Sequence, residues 1–559
     1  MGGDQRMTML WEKSYPPGIE WNSEPPLPTL VEDLDHAVAT WPTNPFLICM
    51  GQTMDFATFG ALCARVAANL AKLGVGPGVH VGLHLPNTPH FVLAFYAVLK
   101  AGGVVVPLSP LDAERELTHK QTKADIRLVI SFAGLADKLP LADGVRLVVA
   151  GPTDFAGQGV PAEALPSGAL PYTALLAPAE PPAAGWPKRA LDDLATLQFS
   201  GGTTGLPKPA MLTHQNLSAS AGAYDVFSRF MGLTPGQERM MVVLPLFHIY
   251  ALDTLMVRAM RNGYCLILHP RWDTDAVLDS IRDHRPTLFA GVPTMHRAIA
   301  SSPRVKDIDF SSLKFVGSGG APLPVELAHE FEAATGKPVL EGWGMSETSP
   351  AGTITPPHRR KVGSAGIPMP GITIEIRDLT DPHKALGANE KGEICIRGRN
   401  VTQGYYKQPE ETRDAFIDGL FRTGDIGYLD DDGFMFIVDR RKDMILSGGY
   451  NVYPRVVEEA IYEHPAVAEV IVIGIPDSYR GESAKAFVTL RPGAAAFSLE
   501  DLRAFLADKL GRHELPAALE FRDMLPKTAV GKLWKQPLVA EERAKAAQGP
   551  ERVATSAAE

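Results

Sequence analysis

The richest chemical signal is a run of small and hydroxylated residues ending in a cation: Ser200-Gly201-Gly202-Thr203-Thr204-Gly205-Leu206-Pro207-Lys208. It follows the apolar stretch Leu194–Phe199, which reads as a strand. Glycines let backbone N–H groups turn inward and approach an anion closely, while the hydroxyls and Lys208 add donors and charge. Such a loop suits a polyphosphate. It is not a P-loop, because Leu206-Pro207 separates Gly205 from Lys208. Alone, this loop reads equally well as a surface turn. The other residues able to do chemistry lie far away in sequence: His248, Glu347, Asp425, Arg440 and Lys532.

The elements that must position them alternate. A helical spacing covers Ala57–Leu73, a strand Val79–Leu85, a helix Pro89–Lys100 and a strand Val104–Val106. Strand–helix alternation of this kind predicts βαβ units and a parallel sheet. It resumes near Leu194 and continues to the 310s, after a Pro/Ala/Gly-rich stretch from Gly157 to Pro187 that reads as a surface loop. From Thr373 to Ile396, short strands and turns predict a small β subdomain. A boundary is expected after Phe434–Asp439, where the charged run Arg440–Asp443 opens a mixed α/β segment. The Ala- and charge-rich stretch from about Glu541 reads as frayed.

Bulk properties set limits. With 559 residues, more than one domain is expected. A net charge of −10 argues against broad nucleic-acid binding, though not against an anionic ligand in a locally basic site. Cys49, Cys63, Cys265 and Cys395 are scattered without a CxxC pair and read as buried thiols in a reducing compartment. The N-terminal stretch lacks the apolar core of a signal peptide, and Lys100 interrupts the run beginning at Phe91. The expectation is a cytoplasmic protein with no transmembrane segment, with room left for peripheral membrane contact and for a homodimer.

The phosphate loop resembles the signature of the adenylate-forming superfamily, which includes acyl-CoA synthetases, luciferases and peptide-synthetase adenylation domains. Gly201 stands where Ser is common and Pro209 where Gly is common. Companion segments resemble the same family in the right order over nearly the whole chain. They are Leu244–Tyr250 around His248, Gly317-Ser318-Gly319-Gly320-Ala321-Pro322-Leu323, Glu341-Gly342-Trp343-Gly344-Met345-Ser346-Glu347, Arg422–Asp425, Asp439–Ile445, Ser447–Pro454 and Leu525–Lys532. Trp343 replaces the usual Tyr and Ser346 the usual Thr. Leu446 and Val456 stand where many relatives have Lys and Glu.

The resemblance implies an α/β fold: a large N-terminal domain (1–439) of βαβ-type subdomains plus a small β subdomain, and a small mobile α+β C-terminal domain (440–559). It implies an ATP-dependent acyl-CoA synthetase: a medium- or long-chain fatty acid and ATP give acyl-AMP and pyrophosphate, then the acyl group passes to coenzyme A. Site roles follow residue by residue. Ser200 to Gly205, Lys208, Gly320, Ala321, Pro322, Trp343, Gly344, Ser346, Asp425 and Arg440 would hold ATP or AMP. Glu347 would hold Mg²⁺, Lys532 would be the mobile catalytic lysine, and His248 with Gly317 and Gly319 would border the acyl group. Lys442 would be the hinge, and Gly448-Gly449 would pass the pantetheine arm of CoA. A dicarboxylate (pimelate-like) ligase is a second reading, with Arg258 and Arg261 either meeting a second carboxylate or lying on a solvated helix face. A non-catalytic nucleotide-binding protein of this fold is a third, disfavoured by the intact Lys532, Glu347 and Asp425.

Overall fold

The computed structural model describes residues 9–161, 164–200, 207–228, 230–447, 450–477, 479–528 and 531–548. Two largely parallel sheets carry the N-terminal part. In one, seven strands run in the order Leu170–Pro171, Arg146–Ala150, Ile126–Phe132, His80–His84, Val104–Pro107, Leu194–Ser200, Lys208–Thr213. Only the last pairing is antiparallel, and Pro209 is accommodated because its strand is the sheet's edge. The other sheet has nine strands, with a parallel middle formed by Pro45–Cys49, Cys265–Leu268, Arg239–Val242, Leu288–Gly291, Phe315–Ser318 and Leu340–Trp343. Strands such as Val104–Pro107 and Cys265–Leu268 are wholly buried, as parallel strands covered on both faces must be, which explains their unbroken apolar sequence.

One core joins the two sheets. Helices Phe56–Lys72 and Pro89–Lys100 fill it, and the second is buried all round, from His90 to Lys100. That helix is the apolar run seen in the sequence. Among the described residues, no helix is long and apolar enough to cross a membrane. All four cysteines are buried and free.

A five-stranded antiparallel sheet (Thr373–Arg377, Gly392–Arg397, Phe416–Ile417, Leu420–Leu429, Met435–Arg440) forms the β subdomain and carries Asp425 and Arg440 as cross-strand partners. Beyond it, residues from Ile445 onward make their own five-stranded sheet with separate buried clusters.

Two expectations need correction. The Gly157–Pro187 stretch is not merely surface loop: Leu170–Pro171 adds an edge strand, and Tyr172 and Leu175 are fully buried in the main core. Nor are residues 541–548 frayed, since helix Gln536–Gln548 runs through them; the remainder of that stretch, 549–559, lies outside the described residues. Leu538 anchors that helix beside Ile471, Phe487 and Leu525, and Glu541 pairs with Lys545 one turn on (2.8 Å) and with Arg522 (2.6 Å).

Candidate active site

Open parallel sheets bind ligands beyond the carboxyl ends of their strands, and the candidate residues gather there. Ser200 ends Leu194–Ser200, Gly319 and Gly320 follow Phe315–Ser318, and Gly344 follows Leu340–Trp343. His248 caps the short helix Ile249–Ala251, which follows Arg239–Val242. Gly201, Gly202, Thr203, Thr204 and Gly205 of the proposed phosphate loop lie outside the described residues, as do Gly448 and Gly449. The loop's two flanks are described: Ser200 and Lys208 face each other in antiparallel register.

Around those flanks lies Glu347. It is 3% exposed, and its Oε1 accepts from the Tyr405 hydroxyl at 2.9 Å. Burial raises its pKa, while Tyr405 and Ser200 favour the charged form. The Lys208 ammonium lies 5.4 Å from the Tyr405 ring centre. Among the described residues there is no group of three or more His, Cys, Asp or Glu able to hold a metal. The donor set is therefore one buried carboxylate with neutral partners. That fits a hard cation completed by phosphate oxygens and water, not a protein-caged metal.

A second group lies on the β subdomain. Asp425 accepts from Trp343 Nε1 on Oδ2 (2.8 Å) and pairs through Oδ1 with Arg440 Nε (3.0 Å). Each carboxylate oxygen retains a second lone pair, so ribose hydroxyls could still be met. Asp425 and then other nearby carboxylates hold Arg440 charged. Gly344 answers a packing need, because a Cβ there would lie 1.4 Å from the Pro350 carbonyl oxygen. Ser346 starts the short turn that presents Glu347.

The third group crosses from the C-terminal part, in the segment between strand Ala518–Phe521 and helix Gln536–Gln548. Lys532 lies over Gly320, where an added Cβ would meet its Cε and Nζ at 2.9 Å. Gly320 has φ +75° and no side chain, which is what admits the lysine. Lys532 shares a cavity of about 10 Å³ with Leu244, Pro245, His248, Tyr250 and Val292. Burial lowers its pKa to about 8, and the charge of Arg440 adds to the effect. Burial, with Lys532 second, pushes His248 down to about 3. His248 is thus a neutral imidazole whose Nδ1 accepts from Tyr250 N (3.3 Å), leaving the proton on Nε2. Tyr250 lies on Gly319, whose added Cβ would stand 3.1 Å from the ring, and Gly317 is beside it. Ala321 and Pro322 continue the turn after Gly320. Lys442 sits in the turn joining Met435–Arg440 to Ile445–Ser447.

Arg258 and Arg261 take neither role foreseen for them. Arg258 is 2% exposed and pairs with Asp225 (3.1 Å), while Arg261 pairs with Asp225 (3.2 Å) and donates to the Pro26 carbonyl. They are partners in an ion network around Asp225, Arg258 buried and Arg261 half-buried, and both are already engaged with carboxylates of this chain. Sequence reasoning missed Tyr405 and Thr294. Tyr405 lies in an unremarkable Gly-Tyr-Tyr segment, and Thr294 follows a proline that reads only as a helix start. Their partners are 58 residues away for Tyr405 and Glu347 and 237 for Thr294 and Gly531, separations that no local pattern carries.

Residues 34–406 match the AMP-binding enzyme model and residues 456–532 the AMP-binding enzyme C-terminal domain. The chain is 36% identical over 561 residues to a long-chain-fatty-acid–CoA ligase of Bacillus subtilis, covering 95% of this chain and 98% of the relative. It is 35% identical over 489 residues to a feruloyl-CoA synthase of an Amycolatopsis species, covering 87% and 93%. Among solved structures, ATP-bound MatB from Rhodopseudomonas palustris superposes with a TM-score of 0.81 at 29% identity, covering 91% of this chain and 98% of that one. The o-succinylbenzoate CoA synthetase of Bacillus subtilis with its acyl-adenylate intermediate gives 0.77 at 28%, covering 90% and 97%. Matched through most of its length by the family model and by relatives a third identical from end to end, the chain belongs to the AMP-binding enzymes.

Proposed function

We infer that this protein is an ATP-dependent acyl-CoA ligase whose acid is a medium- or long-chain fatty acid. A carboxylate resists substitution because it is anionic and its leaving group is poor. Attack of its oxygen on the α-phosphorus of ATP expels pyrophosphate and leaves an acyl-adenylate. The CoA thiol then attacks the acyl carbon and AMP departs. The observation that carries this reading is Lys532 lying on Gly320 beside His248, with Asp425 and Arg440 close by and Glu347 at the loop's flank.

The first step joins two anions, so positive charge must be supplied where negative charge gathers. Lys532 and Lys208 are the cations offered to the phosphates. Mg²⁺ bound at Glu347 would neutralise phosphate charge. Asp425 would fix the ribose, and neutral His248 would orient the incoming carboxylate by donating a hydrogen bond from Nε2 while keeping that proton. CoA would enter the second step past residues 448–449.

With Lys532 lowered to about 8, its charge is lost as pH rises through that value. Adenylation kcat/KM for ATP should fall above about pH 8, since that parameter reports the free enzyme. Transfer from supplied acyl-adenylate should lack this limb. The same alkaline limb in both half-reactions would contradict the assignment.

The substrate is tested by pyrophosphate release over acids from acetate to stearate, with dicarboxylic acids and ferulate alongside, with and without CoA. Fatty acids of medium or greater length should give the highest kcat/KM. Preference for ferulate or a dicarboxylate would replace the fatty acid while keeping the reaction. Absence of acid-dependent pyrophosphate release would remove the reaction itself.

A further inference from the structure

The segment bearing Lys532 is closed on itself. Gly531 N donates to Thr528 O (2.9 Å), Thr528 N to Lys532 O (2.7 Å) and Lys532 N to Thr528 Oγ1 (3.2 Å). Those bonds keep the lysine's backbone in shape but do not say where the segment docks. The Gly531 carbonyl points outward, and Thr294 Oγ1 donates to it at 3.1 Å. Gly531 has φ +79°, and a Cβ added there would already stand 3.2 Å from that hydroxyl, so the approach is close.

Thr294 lies in the first turn of helix Pro293–Ala300, and Arg297 follows one turn later. Arg297 reaches Glu330 Oε2 at 3.4 Å, from the neighbouring helix Val325–Thr335. The other oxygen of Glu330 takes Arg491 at 2.9 Å, and Arg491 directly follows strand Gly481–Leu490 of the C-terminal sheet. Arg491 is preset: its Nε donates to Val467 O (3.0 Å) and its backbone N–H to Ala466 O (2.9 Å). Two adjacent N-terminal helices therefore grip the C-terminal part at two points, one beside the lysine and one remote from it.

We propose that Thr294 and the Arg297–Glu330–Arg491 bridge are positioning residues, a seat that holds the C-terminal part in the orientation delivering Lys532 to the site. The proposal rests on the reading of Lys532 as the adenylation lysine. A contact made in one of two orientations shifts the balance between them and does nothing for a step run in the other. Loss of the seat should therefore slow acyl-adenylate formation and leave acyl transfer alone.

The test is single-turnover measurement of both half-reactions, with supplied acyl-adenylate for the second. Thr294→Val should slow the first about tenfold, the worth of one hydrogen bond, and Thr294→Ser should restore it. Glu330→Arg and Arg491→Glu should each slow it a few-fold, less at high salt, as exposed ion pairs do. The double charge reversal should recover the share of the loss owed to the 330–491 pair, but not the share owed to Arg297, which would still face a like charge at position 330. Parallel loss of both half-reactions, failure of Thr294→Ser to rescue, or no recovery in the double variant would overturn the seat. Lys532→Ala serves as the reference. If it does not separate the half-reactions, the site reading fails; if it does while Thr294→Val changes nothing, only the seat falls.

Discussion

Lys532→Ala should abolish acyl-adenylate formation while sparing acyl transfer from supplied acyl-adenylate to CoA. The lysine reaches the site as a single cation, over a glycine that leaves it no alternative neighbour to displace. Losing one well-placed donor to a developing charge costs about 3–4 kcal/mol of transition-state stabilisation, or about 10²–10³-fold in rate. Among the described residues the neighbouring cations are already engaged: Arg440 with Asp425, and Lys208 across the site against Tyr405. In the second half-reaction the leaving group is AMP and the nucleophile a thiol, so no triphosphate needs neutralising. Single-turnover formation of acyl-adenylate from ATP and acid should therefore collapse, while thioester formation from supplied acyl-adenylate stays near the parent rate. Equal loss in both assays would mean that Lys532 acts through folding or through both steps.

Much of this was legible in the sequence, and the reasons divide cleanly. The helix Pro89–Lys100 and the strands on either side could be read because local period and burial coincide there. The segments carrying Glu347, Asp425 and Lys532 could be found because each is compact in sequence. What brings them together is not compact: Tyr405 on Glu347, Trp343 on Asp425 and Gly320 under Lys532 are contacts between separate elements. Composition misled at two places. Pro, Ala and Gly between 157 and 187 suggested a loop, yet Tyr172 and Leu175 bring enough apolar surface to be buried. Ala and charge from Glu541 suggested fraying, yet over residues 541–548 alanine is the best helix former and Glu541–Lys545 stands at the favourable spacing. Arg258 and Arg261 show the remaining limit. A pair of arginines on a helix says nothing about its partner until Asp225 is placed beside it from another helix.

Lys442→Pro should split the two half-reactions in the opposite sense. The turn containing Lys442 is shaped by bonds donated by its neighbours: Arg441 N to Gly424 O (2.9 Å), Asp443 N to Arg440 O (2.9 Å) and Met444 N to Arg440 O (3.2 Å). A proline at 442 removes none of these donors. What it removes is rotation, since the ring fixes φ near −65°. The orientation described here already places Lys532 at the site, so adenylation should persist within a few-fold. On the proposed mechanism CoA transfer would need Lys532 withdrawn and the C-terminal sheet turned, and a hinge residue would absorb the change in φ and ψ. With that freedom gone, transfer from supplied acyl-adenylate should fall by about 10²-fold or more, the scale on which misplacing a reacting group is felt. Lys442→Ala, which keeps the rotation, should leave both steps close to the parent. The decisive measurement is the ratio of the two single-turnover rates: a ratio unchanged by the proline would place the pivot elsewhere in the junction between Asp439 and Ile445.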